Sequence, residues 1–250
     1  MASKHELLPS TPDKSPPNSF LLDDIVQLEI GDESKIIKVH KGVLSFYSGY
    51  FRAALNGNFL EASQSGIKLP TEESNVVELA VAWMYVRRLN VDFEHTKRAD
   101  TGLLLCKLWA FADRRQIPSL ANVAIDYLRS HVLTLWYRPT HKMIQYAYAN
   151  TSASAALRRF LVFFIAVTCN RSSFNDQVER SGWPKEAVWD LLLAVWQERG
   201  AGAHPQNPNT KSTDTKKVIQ DMDMCEYHIH EGDVSCKSAG KKRCRSEFDG

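Results

Sequence analysis

The sequence predicts an α+β fold: a small sheet with a helical layer, followed by an all-helical C-terminal extension and a disordered tail. Three observations carry this. Apolar residues alternate over 26–30 and over 37–39, the period-two pattern of half-buried strands. From Val76 onward they recur at spacings of three and four, the period of a helix face. Proline, glycine and polar residues dominate both ends, leaving little apolar surface to offset the entropy of ordering.

Taken in order, residues 1–19 hold Pro9, Pro12, Pro16 and Pro17 among polar residues and form a disordered arm. Val26, Leu28 and Ile30 alternate with Gln27 and Glu29, giving a first strand. Gly31-Asp32-Glu33-Ser34 is turn chemistry, and Ile37 and Val39 mark a second strand, so the pair is a hairpin. Leu44, Tyr47, Phe51, Ala54 and Leu55 fall on one face of a single helix ended by Asn56-Gly57-Asn58, with that face in the core. Phe46 and Tyr50 lie elsewhere on that helix; as exposed aromatics they would extend a homodimer surface. Ile67-Lys68-Leu69 is a short strand stopped by Pro70.

Helical stripes follow. Val76, Leu79, Ala80, Trp83 and Met84 form one; Leu104, Leu108 and Phe111 a second, closed by Ile117-Pro118; Leu120, Val123, Ala124, Tyr127 and Leu128 a third. Beyond Pro139 come Met143 to Ala149, Ala155 to Thr168 and Pro184 to Glu198, the last with Val188, Leu192, Val195 and Trp196 on its buried face. Gly200, Gly202, Pro205 and Pro208 open a linker over 200–224. The expected organisation is an arm over 1–19, a domain over 20–130, a helical extension over 131–199 and a tail over 200–250.

Composition narrows function by exclusion. The 31 basic and 29 acidic residues balance to +2, which gives no general attraction to nucleic acid or acidic membranes. The longest apolar run, Phe160 to Val167, is far short of the about 20 residues that span a bilayer. Five cysteines, mostly late in the chain, do not suggest a disulfide framework. With no secretory signal after Met1-Ala2-Ser3, the expected location is intracellular, cytoplasm or nucleus. Motifs for serine hydrolases, zinc proteases, P-loops and dinucleotide binding are absent from the sequence, so no catalytic residue is assigned and the chain reads as a non-enzyme.

The order of motifs resembles the BTB/POZ family. Asp24-Ile25-Val26 opens the first strand; Val39-His40-Lys41 ends the second; Leu44, Ser48, Tyr50 and Phe51 follow. Phe59-Leu60-Glu61, Ile67-Lys68-Leu69-Pro70, Trp83-Met84-Tyr85 and Ala112-Asp113 to Leu120 complete the series over about residues 22–130, in a form similar to BTB proteins of filamentous fungi. The resemblance implies a protein–protein interaction module that self-associates as a homodimer or recruits partners. In ubiquitin-ligase adaptors of the family an aromatic–any–glutamate loop touches a cullin scaffold, which points to Phe59 and Glu61 as partner-binding residues. His40 and Asp24 are structural in this reading. Where the family carries Tyr-Thr-Gly after its second long helix, this chain has Tyr85-Val86-Arg87, which puts the next turn and any fourth strand in doubt. Residues 1–19 lack the apolar strand that some members swap between partners.

A second constellation lies in the tail. Cys225, His228, His230 and Cys236 read as C-x2-H-x-H-x5-C, two thiolates and two imidazoles, the full donor set of a tetrahedral zinc. The spacing is not that of the usual finger, and Cys244 is an alternative fourth ligand. Similar segments recur at the C-termini of fungal family members. With the basic tract Lys241-Lys242-Arg243-Cys244-Arg245 it supports the alternative function, a nuclear transcription or chromatin regulator with a zinc-ordered tail. The other reading of both features is a solvated tail with scattered Cys, His and basic residues.

Overall fold

A computed structural model describes residues 16–56, 66–91, 98–168, 182–199 and 212–230. The chain divides into two compact units, Met1–Asp92 with Lys107–Ala124, and Phe93–Cys106 with Ile125–Gly250. The fold is α+β: a three-stranded sheet and otherwise helices.

In the first unit β1 (Ile25–Ile30) pairs antiparallel with β2 (Lys35–His40) and parallel with β3 (Gly66–Leu69), giving the order β2-β1-β3. The hairpin register sets Val26 against Val39 and Leu28 against Ile37, so alternation on both strands loads one face. Leu28 also faces Ile67, and Ile30 faces Leu69, extending the same apolar face onto β3. Gly31 turns the hairpin at φ 64°, a conformation that costs glycine little, and its N–H donates to the Leu69 carbonyl at 3.0 Å.

Where one helix was expected, two form: α1 (Lys41–Tyr47) and α2 (Gly49–Asn56). The expected stripe does reach the core, since Leu44, Tyr47, Phe51 and Leu55 are all buried. Ser48 breaks the run by going extended, at φ −116° and ψ 120°. It is fully buried; its Oγ donates to the Arg115 carbonyl and accepts the Phe51 N–H at 3.0 Å, as an N-cap would. Tertiary pairing therefore overrides the local period at one residue.

Helix α3 (Ser74–Val86) buries Val76, Val77, Ala80, Trp83 and Met84. Helix α4 (Arg98–Arg114) and helix α5 (Pro118–Leu135) follow, with Leu108, Phe111, Leu120, Val123 and Ala124 buried; Leu104 is half-buried while its neighbour Leu105 is fully inside.

In the second unit, α6 (His141–Asn150), α7 (Ala156–Thr168) and α8 (Lys185–Arg199) pack together. Helix α8 departs from expectation. Val188, Leu192 and Trp196 face outward, with Trp196 71% exposed, and Trp189 and Leu193 join them. The inward face is Ala187, Asp190, Leu191 and Ala194, at helical spacing. Two alanines on that face allow close approach, Asp190 accepts the Tyr148 hydroxyl, and Glu186 pairs with Arg158 at 3.3 Å. Because α8 is apolar almost all round, periodicity alone could not choose its buried side.

The tail also differs. Ser212–Asp221 is a helix, α9, followed by a 3-10 turn at Met224–Tyr227. Ile219, Met222, Met224 and Tyr227 are buried, so this part of the expected linker and tail carries enough apolar surface to pack. Residues 200–211 and 231–250 lie outside the described residues.

Candidate functional site

The first site is the helix-pair surface of the BTB-like unit. Phe46, next to last in α1, is half-buried, edge-on to Tyr47 at 4.9 Å and to Phe20 at 6.1 Å between centroids. Phe20 lies over Gly42, where a Cβ would come within 2.8 Å of it. Tyr50, also half-buried, lies edge-on to Phe51 and beneath the Arg115 guanidinium, 4.5 Å from its ring centroid. Arg52 ties the two helices together through the carbonyls of Ser45 (2.8 Å) and Phe46 (3.1 Å). The two aromatics are thus held by intramolecular contacts while keeping part of their surface in solvent. Phe59 and Glu61, the expected partner-reading pair, lie outside the described residues.

Behind this surface sits a buried ion group. Glu72 is 5% exposed; its Oε1 accepts from Arg115 at 2.8 Å and its Oε2 from Arg114 at 3.0 Å. Both carboxylate oxygens are therefore charge-paired, which a buried carboxylate requires. Nothing in sequence periodicity marks Glu72; only its proximity in the fold to α4 does.

His40 closes β2. The Tyr85 hydroxyl accepts the His40 backbone N–H at 3.1 Å and lies 2.7 Å from its Nδ1. Such a histidine positions a strand end on α3. Leu21, Leu22, Ile25 and Ile36 are exposed apolar residues of the same unit that the periodicity argument did not single out.

The second site is the Cys/His segment. Asp223 caps the 3-10 turn by accepting the Cys225 N–H at 3.1 Å. Tyr227 packs edge-on to Phe160 at 5.7 Å, and Arg159 donates to the Glu226 carbonyl at 2.8 Å. Arg129 donates to the Ile219 carbonyl at 3.1 Å and to that of Gln220, satisfying the end of α9. Burial holds the Arg129 guanidinium below its ordinary range, against the opposing fields of Asp126 and Asp221. These anchors fix where the donor atoms sit. Cys225 Sγ is 3.2 Å from His230 Nε2. The buried His228 ring gives Nε2 to Asp126 Oδ1 at 2.9 Å, and its centroid is 6.3 Å from that of His230. Among the described residues no three donors converge on one point; Cys236 and Cys244 lie outside them. Asp126 was not foreseen: on the sequence it is one polar residue in the α5 stripe, and nothing there links it to a tail about 100 positions away.

Among the described residues no helix is long and apolar enough to cross a membrane.

Comparison with known proteins agrees with the fold. The BTB/POZ domain family model matches residues 16–131. The Kelch repeat protein M-T8 of Myxoma virus (strain Lausanne) is 35% identical to this chain over 78 residues, 31% of this chain and 15% of the viral protein. The chain therefore spans only a small part of that relative. With the hairpin, helix pair, parallel β3 and following helices in place, residues 16–131 of this chain are a BTB/POZ domain, a protein–protein interaction module.

Proposed function

We propose that the chain works as an adaptor: its BTB/POZ domain self-associates and recruits a protein scaffold of the cullin type, with Phe59 and Glu61 reading that partner. The observation that carries this reading is the BTB/POZ match over residues 16–131. The likeness to a Kelch repeat protein adds support for an adaptor role. The half-buried Phe46 and Tyr50 supply aromatic surface at the helix pair, the residue types that anchor interfaces. Sedimentation velocity over a range of concentrations tests self-association. A mass that rises toward twice the 28.3 kDa chain supports it; a monomer throughout would sink that part of the reading.

A second reading concerns the tail: Cys225, His228 and His230 hold zinc, with Cys236 as a further ligand. The 3.2 Å separation of Cys225 Sγ and His230 Nε2 favours it. Two such donors on one tetrahedral zinc stand about 3.6 Å apart, from bond lengths of about 2.3 and 2.05 Å. Elemental analysis of the purified chain is the check, and less than stoichiometric zinc counts against it.

A further inference from the structure

We infer that the outward face of α8 is a contact surface for a second copy of this chain. This contact lies in the second unit and goes beyond the self-association proposed for the BTB/POZ domain.

Five side chains carry it. Val188, Leu192 and Trp196 follow one another at i, i+4 and i+8, and Trp189 and Leu193 form a second row beside them. Each is more than half exposed, with Trp189 at 65% and Trp196 at 71%. The opposite face of the helix is already committed. Ala187 is buried, Asp190 accepts the Tyr148 hydroxyl, and Glu186 pairs with Arg158 at 3.3 Å. The helix is therefore held from behind with its apolar rows turned outward, so little further ordering opposes association.

Single apolar residues on a surface are ordinary, whereas a contiguous patch of several hundred Å² marks a contact. From their fractional exposures the five side chains leave on the order of 600 Å² per copy in solvent. Two copies would together bury about 1,200 Å², above the roughly 1,000 Å² that a specific interface needs. None of the five is ionisable, so a like copy desolvates no charge in the two rows. With two helices antiparallel about a two-fold axis beside Leu192, small Val188 of each copy meets large Trp196 of the other. The surface thus complements itself, as an isologous contact requires. A lipid surface fits less well. Helices that lie on membranes keep a polar face rich in Lys and Arg, whereas the face of α8 behind the two rows packs on α6 and α7.

Sedimentation velocity of the full chain over a range of concentrations tests this, with far-UV circular dichroism as the check on folding. Wild type is expected to self-associate. Trp189→Glu/Trp196→Glu changes two exposed positions and is expected to raise the concentration for half-association at least tenfold. Leu192→Cys treated with a short bismaleimide is expected to give a covalent dimer in which peptide mass spectrometry finds position 192 linked to itself. If wild type associates, the glutamate variant associates equally and no 192-to-192 link forms, the α8 contact is overturned while self-association through the BTB/POZ domain stands. If the glutamate variant is a monomer where wild type is not, the α8 contact is upheld and the BTB/POZ contact alone does not hold two copies together. If wild type is a monomer at every concentration, or floats as a monomer with phosphatidylcholine–phosphatidylserine vesicles, the second copy is overturned as the occupant of this face.

Discussion

The Arg87 guanidinium lies 4.1 Å from the Trp83 ring centroid, and Arg87 is itself the left-handed residue that caps α3. Arg87 has φ 59° and its N–H donates to the Trp83 carbonyl at 2.8 Å, so it occupies the C-terminal capping position that favours glycine. This is the position where the BTB pattern carries Gly and this chain carries Arg. A non-glycine residue there costs roughly 1 kcal/mol. The stack on Trp83, with Tyr47 at 4.9 Å on the other contact, opposes that cost.

Substitution separates the two effects. Arg87→Ala keeps the backbone strain and loses both ring contacts, so it should destabilise by about 1–2 kcal/mol. Arg87→Gly loses the contacts but relieves the strain, and should fall between wild type and the alanine variant. Urea denaturation gives the order; an alanine variant as stable as the glycine one would contradict it.

Among the described residues Glu72 is a buried charge of the first unit. Glu72→Ala leaves Arg115, whose side chain is 14% exposed, without its carboxylate. Breaking a buried pair on one side costs about 3 kcal/mol, which for a chain of this size lowers Tm by roughly 6–12 °C. A thermal melt unchanged within a degree or so would show the pair to be solvated. Because Arg115 also covers Tyr50, the same variant should increase quenching of tyrosine emission.

The cysteines should differ sharply in reactivity. Cys106 is fully buried, and burial pushes its thiol far above the ordinary range, so almost no thiolate forms. Cys225 is half-buried beside His230. With chelator present at about pH 8, iodoacetamide should modify Cys225 and spare Cys106 until the chain unfolds. Peptide mass spectrometry reads this out, and equal labelling of both would refute the placement of Cys106.

Alkaline stability tests the second unit. Burial raises the Tyr148 hydroxyl, reinforced by its bond to Asp190, and burial raises Tyr137. In the unfolded chain both lose their protons near pH ~10, while the native chain keeps them. The native state then binds more protons, so stability falls as pH rises past about 10 and is unaffected below it. Urea midpoints measured across that window should drop, and Tyr148→Phe should shallow the drop. A flat profile would contradict the burial of these hydroxyls.

The sequence made most of the first unit legible because strand alternation and single-faced stripes each have one solution. Val26, Leu28, Ile30, Phe51 and Trp83 all went where period and polarity sent them. Three features were not readable for physical reasons. Ser48 breaks a helix because its hydroxyl meets a carbonyl 67 residues away, a non-local bond. Helix α8 carries apolar residues on most of its sides, so small Ala187 and the Asp190–Tyr148 bond, rather than hydrophobicity, chose its inner face. The tail segment 212–230 is polar on average yet packs through a few residues, Ile219, Met224 and Tyr227, that average composition conceals. Of the tail candidates, Cys225, His228 and His230 were visible as residue types, whereas the contact of His228 with Asp126 could be seen only once α5 and the tail were placed side by side.

Affinity capture from cell extract tests the central claim most directly. Tagged wild-type chain and the Phe59→Ala/Glu61→Lys variant are compared at equal bait recovery, with cullin scaffold quantified by mass spectrometry. The account predicts scaffold on wild type and about tenfold less on the variant, the effect of removing an interface anchor and its register-fixing charge. Equal recovery on both baits, or none on either, would contradict it.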